Sequence, residues 1–131
     1  MNHKHSRGFT LLELMIVMTI MLILLSVGAG QYQQSVLRSK EAVLKQDLFV
    51  MRNAIEQYTL DKQAAPQSLE DLVAAGYLRT VPKDPITNTT DWRPSFDDTL
   101  LSPEQVVTGI TDVHSASDTV SPFEGTPYSS W

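Results

Sequence analysis

FTLLELMIVMTIMLILLSVGAG, residues 9–30, is 22 residues long and carries a single charge, Glu13. As a helix rising about 1.5 Å per residue it would reach roughly 33 Å, enough to cross a hydrocarbon core of about 30 Å. It reads as a transmembrane helix. His3, Lys4, His5 and Arg7 stand before it, whereas Arg38 and Lys40 come well after it and are offset by Glu41. Bases concentrated ahead of the span put the N-terminus in the cytoplasm and the rest of the chain on the far side.

Working outward, no proline occurs between Phe9 and Ala65. The apolar positions Leu37, Leu44, Leu48, Met51, Ile55 and Tyr58 advance by seven, four, three, four and three, which is one face of an α-helix. The membrane helix is therefore expected to run on as an amphipathic one to Asp61, over roughly 80 Å in all. Gly28 and Gly30 are its weakest point. The 70 residues that remain cannot bury both halves of such a helix. Its N-terminal half needs lipid or copies of itself. A secretory signal peptide cut before Gln31, after the small triplet Gly28-Ala29-Gly30, is the competing reading. The apolar run exceeds the usual ~7–15 residues of a signal core, contains Glu13, and would be separated from the helix that continues it.

The expected organisation is thus residues 1–8 as a leader, 9–30 as the membrane helix, 31–61 as its amphipathic continuation and 62–131 as a head. In the head, Pro66 precedes Ser68, a helix N-cap with Asp71 three residues on, and Gly76 ends the short helix that follows, with Tyr77 and Leu78 packing back. Short β-prone pieces at residues 92–96, 106–110 and 111–114 predict a small antiparallel sheet resting on the helix stripe. The fold class is α+β.

Charge and composition exclude several functions. The chain has 10 Lys+Arg against 15 Asp+Glu, and without Lys4 and Arg7 the balance would be 8 against 15, a net charge of −7. So acidic a surface repels phosphate, and no nucleic-acid partner is expected. With no cysteine there is no disulfide, thiolate metal site or cysteine nucleophile. His3, His5 and His114 lack metal-ligand spacing. Asp97-Asp98 and Glu70-Asp71 have no assembled base or nucleophile beside them and read as solvated loops or caps. Trp92, Phe96, Phe123 and Trp131 are expected in the head core. No catalytic residue is assigned, and no enzymatic activity is expected.

Arg7-Gly8-Phe9-Thr10-Leu11-Leu12-Glu13-Leu14 resembles the processing signal of the prepilin-like family, which comprises type IV pilins and type II secretion pseudopilins. The resemblance implies cleavage between Gly8 and Phe9 by a membrane-embedded prepilin peptidase that also N-methylates Phe9. Physical chemistry gives Glu13 a role beside it. A carboxylate within a membrane segment costs about 2.5–3.5 kcal/mol on insertion scales, so Glu13 needs a cationic partner. After cleavage the α-amine of Phe9 is such a group, and in a staggered bundle it can meet Glu13 of a neighbouring subunit. The plainer reading leaves Glu13 near the membrane surface, snorkelling, with no part in assembly.

Further on, Gly76-Tyr77-Leu78-Arg79-Thr80-Val81-Pro82-Lys83-Asp84-Pro85, with Asn88 and Trp92, resembles a loop of the major, G-type pseudopilins, as does the tail from Asp112-Val113-His114-Ser115 to Trp131. That family implies a pilin-like fold and a head that binds calcium in a loop near its C-terminus. Here Ser115-Ala116-Ser117-Asp118-Thr119 replaces the expected glycine- and aspartate-rich run. Asp118 and Ser117 are the calcium candidates, and a solvated turn of small polar residues is the alternative.

The resemblance implies a structural subunit of a type II secretion pseudopilus: a helical homo-oligomer, single-pass in the inner membrane with a periplasmic head. It would work with minor pseudopilins, an inner-membrane assembly platform and a cytoplasmic ATPase. A type IV pilin for adhesion, motility or DNA uptake is the alternative within the family. A membrane-anchored or secreted periplasmic binding module is the alternative outside it.

Overall fold

In the computed structural model, which describes residues 10–131, α1 (Leu11–Lys62) is one uninterrupted helix of 52 residues. The chain divides after Arg38 into two compact units, and α1 contributes its first part to one and its remainder to the other.

In the first unit the helix opens with a cap. The Glu13 N–H donates to Thr10 Oγ1 at 3.1 Å and the Leu14 N–H to the Thr10 carbonyl at 3.0 Å. Thr10 and Glu13 stand at the N-cap and third helical positions, the spacing of a capping box. Thr19 and Ser26 donate their hydroxyls to the carbonyls of Met15 (2.8 Å) and Leu22 (2.9 Å) one turn back, so neither hydroxyl is left without a partner in an apolar medium. Leu, Ile and Met point outward all around the helix, from Leu11 to Val27. Water does not sustain an apolar surface of this extent, and a helix of this length and composition can cross a membrane.

In the second unit (Ser39–Trp131), the head, the same helix buries a stripe. Leu44, Leu48, Met51 and Ile55 are almost wholly enclosed, each at a position the spacing had marked, while Tyr58 is half-buried at the edge. Burying side chains of this size stabilises by about 1.5–3 kcal/mol each, which is why the stripe organises the unit. Helix α1 stops before Gln63, whose φ of 53° leaves the helical region and whose side-chain amide donates to the Leu60 carbonyl at 2.8 Å.

Helix α2 (Leu69–Ala74) lays Leu69 and Leu72 on that stripe. Asp71 Oδ2 accepts from the N–H groups of Gln67 (2.9 Å) and Ser68 (3.2 Å), as expected of an N-terminal cap. The end is a Schellman turn: the Tyr77 N–H donates to the Leu72 carbonyl (2.9 Å) and the Gly76 N–H to the Val73 carbonyl (3.1 Å), with Gly76 at φ 86°. Leu78 is buried and Tyr77 meets Tyr58 edge-on at 5.7 Å, so the two residues do pack back.

Strands β1 (Trp92–Ser102) and β2 (Gln105–Ser115) form an antiparallel hairpin closed by Pro103 and Glu104. The two separate pieces expected at 106–110 and 111–114 are one strand. Pairing passes from Ser95↔Asp112 to Phe96↔Ile110, which leaves Thr111 as a bulge. A bulge inverts the alternation of faces, and that is the interruption the sequence pattern registered as a break. Trp92, Ile110, Val113 and Ser115 face the core. Phe96 does not: it is 59% exposed, and Phe123 is 38% exposed. The segment 65–67 crosses β2 at Gly109, where the Ile110 N–H donates to the Pro66 carbonyl at 2.8 Å and a Cβ would lie 2.6 Å from the Ala65 Cβ. A short 3-10 helix, Tyr128–Ser130, brings Tyr128 back into the core. The whole is the α+β, pilin-like arrangement expected from the sequence: a long apolar helix and a small antiparallel sheet.

Candidate processing and assembly site

Gly8 and Phe9, the residues expected to flank the cleaved bond, lie outside the described residues. Glu13 lies in the first turn of α1. The positive end of a helix favours a carboxylate there by about 0.3–1 kcal/mol, which offsets only part of the ~2.5–3.5 kcal/mol that membrane insertion costs. The helix end alone therefore does not meet the cost of a carboxylate in a membrane. Among the described residues its carboxylate has no side-chain partner.

The C-terminal segment places the other candidates. Asp118 Oδ1 accepts from Arg93 Nη1 at 2.9 Å and Oδ2 from Arg93 Nη2 at 3.2 Å. The hydrogen bond from Arg93, then one from Ser129, holds the Asp118 carboxyl below its usual range, and the bond to Asp118 holds the Arg93 guanidinium above its own. Ser117 Oγ accepts from the Thr119 N–H at 3.3 Å. Glu124, the next acid along, pairs with Lys45 of α1. No three His, Asp or Glu side chains gather among the described residues. Calcium takes about six to eight oxygens. Asp118 and Ser117 with these neighbours do not fit it: one carboxylate is present, and a guanidinium already engages both of its oxygens.

Several residues that hold this region had no role assigned from sequence. Asp84, in the Pro82-Lys83-Asp84-Pro85 loop, is fully buried: Oδ1 accepts from the Ile86 N–H at 2.8 Å and Oδ2 from the Ser115 hydroxyl. Trp92 Nε1–H donates to the Pro82 carbonyl at 2.8 Å, so the loop is tied to β1 as well. Arg52 of α1 donates to Asp112 Oδ1 (2.5 Å), the Val113 carbonyl (3.0 Å) and the Trp131 carbonyl (2.6 Å). His114 completes that cluster, with Nδ1 at 2.8 Å from the Trp131 carbonyl oxygen and Nε2 at 3.4 Å from Asp112 Oδ2.

Glu41 is the clearest case. It is buried on α1, and its Oε1 accepts from the hydroxyls of Ser121 (2.5 Å) and Tyr128 (2.7 Å). Burial, then the bond to Glu41 and its charge, push the Tyr128 phenol up to about 12. A signal was available, because position 41 continues the 44-48-51-55 stripe backwards and a charge on a core stripe demands partners. The paired carboxylates do what solvated or capping groups do: Asp71 caps α2, and Asp97 Oδ1 accepts from the Asp98 N–H at 2.8 Å.

Comparison with known proteins agrees with this reading of the chain. Residues 3–29 match the family model described as the prokaryotic N-terminal methylation motif. The chain is 30% identical over 118 residues to the type II secretion system core protein G of Klebsiella pneumoniae, covering 78% of this chain and 79% of that one. It is 33% identical over 104 residues to the protein of the same name from Pseudomonas aeruginosa, covering 67% and 73%. The type IV major fimbrial protein FimA of Dichelobacter nodosus is 42% identical over 59 residues, 45% of this chain and 38% of that one. No solved structure matches. With a methylation motif opening the apolar helix and the similarity carried through most of the head, the chain belongs to the family of the type II secretion system core protein G, a pilin-like subunit family.

Proposed function

We propose that this chain is a structural subunit of a type II secretion pseudopilus. In this reading it inserts in the inner membrane through the first part of α1, N-terminus cytoplasmic and head periplasmic, and polymerises into a filament whose growth helps drive folded proteins across the outer membrane. The observation that carries the reading is the join between motif and helix. Gly8-Phe9 stands directly before a helix whose first part has no core of its own, and Glu13 is the one charge in that apolar run. Leader removal by a prepilin peptidase would create the Phe9 amine. An amine with an ordinary pKa of about 7.7–8.0 is largely charged at neutral pH and can neutralise Glu13 of a neighbouring copy. Minor pseudopilins and an inner-membrane assembly platform are the further partners this role requires. The relatives named as core protein G support the secretion role over fimbrial ones, since they cover 78% of the chain where the fimbrial likeness covers 45%.

Mass spectrometry of the protein from membranes tests the processing step. The expected N-terminus is N-methylated Phe9. A chain starting at Gln31 establishes a secreted protein, and an intact Met1 an uncleaved anchor. Deleting the gene and scoring exoprotein release beside surface motility separates the secretion role from a type IV pilus.

A further inference from the structure

Residues 112–131 contain three carboxylates, Asp112, Asp118 and Glu124, and no lysine or arginine. Each carboxylate meets a base supplied by an earlier part of the chain: Arg52 of α1 for Asp112, Lys45 of α1 for Glu124 and Arg93 of β1 for Asp118. The segment is thus an acidic strap neutralised one charge at a time by the scaffold it lies on. The middle pair has the most specific geometry. Arg93 pairs with His114 in the sheet, so its side chain starts beside the last residues of β2 and spans the chain's exit to Asp118, three residues beyond Ser115. Its two terminal nitrogens meet the two carboxylate oxygens separately, a fork that a planar guanidinium makes and an ammonium does not.

The backbone around Asp118 is already closed without any further group. The Ser117 N–H donates to Ser115 Oγ (3.2 Å), the Thr119 N–H to Ser117 Oγ (3.3 Å) and the Tyr128 N–H to the Thr119 carbonyl (3.0 Å). Val120 bridges Pro127 beyond them. We propose that Arg93 is the built-in cation of this loop, its guanidinium serving Asp118 as a divalent ion would serve a loop richer in carboxylates, so that the head holds its C-terminal strap with or without calcium. A calcium ion arriving at Asp118 competes with Arg93 rather than filling a vacant charge, and it finds one carboxylate where it needs several. This inference is independent of the secretion reading, since it concerns only how the head is fastened.

The test uses the full chain in detergent micelles, followed by thermal melting and by amide exchange across residues 115–128, in millimolar calcium or in excess chelator. The expected wild-type result is a melting temperature that agrees within about 1 °C between the two conditions. Arg93→Gln is expected to speed exchange several-fold at residues 116–120 while leaving α2 unchanged. Arg93→Lys should fall between, because charge is kept and the fork is lost. Asp118→Asn should reproduce Arg93→Gln, and serves as the readout if the arginine variant folds poorly. A wild-type melting temperature several degrees higher in calcium would overturn the proposal, because a ligand bound only by the folded state stabilises it by mass action. So would exchange at residues 116–120 that ignores both substitutions.

Discussion

Helix α1 carries two glutamates in apolar surroundings, and they are completed in opposite ways. Glu41 lies in the head, buried on the core stripe, and its carboxylate is met by the hydroxyls of Ser121 and Tyr128 from the far end of the chain. Glu13 lies in the first turn, where the chain offers it a helix N-terminus and, among the described residues, no side-chain partner. The same division runs through the apolar side chains. Leu44, Leu48, Met51 and Ile55 close a core, whereas Leu11 to Val27 face outward on every side. One half of the helix folds with its own chain. The other turns its apolar side chains outward, with no core of its own among the described residues.

Replacing Glu13 should therefore break assembly without touching the head. Glu13→Leu removes the desolvation cost of insertion, so processing at Gly8 should survive, while filament yield and exoprotein release fall to background. The head's melting temperature should not move. Normal filaments with this variant would leave apolar helix packing as the sole organiser and erase the contrast between the two glutamates.

The reverse experiment is Glu41→Ala, expected to destabilise the head by about 2–4 kcal/mol. It strands two buried hydroxyls and leaves a cavity on the stripe. Thermal melting should drop on the order of 10 °C, with processing unaffected. A loss under about 0.5 kcal/mol would mean that water replaces the carboxylate and that Glu41 is not the head's internal counterpart of Glu13.

Gly109→Ala probes the packing of the finished half more gently. A methyl there would press on the Ala65 Cβ and the Pro66 carbonyl oxygen, 2.6 and 2.7 Å from its position, and backbone cannot swing aside as a long side chain can. Overpacking of this kind costs about 1–3 kcal/mol, readable as a lowered denaturant midpoint.

The smallest effect is one of sign. Burial, then the nearby charge of Asp84, raises the Asp47 carboxyl above its usual range. A group whose pKa is higher folded than unfolded favours the fold below its unfolded value and loses that contribution as pH rises through the folded one. Asp47→Asn should thus stabilise slightly at neutral pH, and the gain should vanish as pH falls through the carboxylate range. Asp118, held low by Arg93, works the other way: its contribution is present at neutral pH and is lost as pH falls through its folded value. Melting curves of both Asn variants between neutral and acid pH check the opposite slopes.

What could be read in one dimension was whatever local spacing encodes. The helix stripe, the Ser68 and Gly76 ends of α2, the apolar run and the Arg7-to-Glu13 motif all lie within a few turns of chain, where periodicity of 3.6 and capping chemistry act. The hairpin was legible only in pieces, because the Thr111 bulge inverts the alternation of faces on which strand patterns depend. Phe96, expected in the core, is exposed although it pairs with the buried Ile110. Asp118 was singled out by its neighbours in sequence as a metal candidate. Its actual partner, Arg93, lies 25 residues away and carries no local mark.

By itself, then, the sequence determined the membrane-capable helix, its continuation as a core stripe, the motif before it and the family to which these belong, since each is a matter of short-range pattern. Only the tertiary structure decided that Glu41 is answered by Ser121 and Tyr128, that Gly109 must stay small beneath Pro66, and that the acidic strap is neutralised by Lys45, Arg52 and Arg93. Those pairings join residues 25 to 87 positions apart, brought together by the fold as a whole. Charges and hydroxyls that distant select their partners through the geometry of the packed core, which no window along the chain contains.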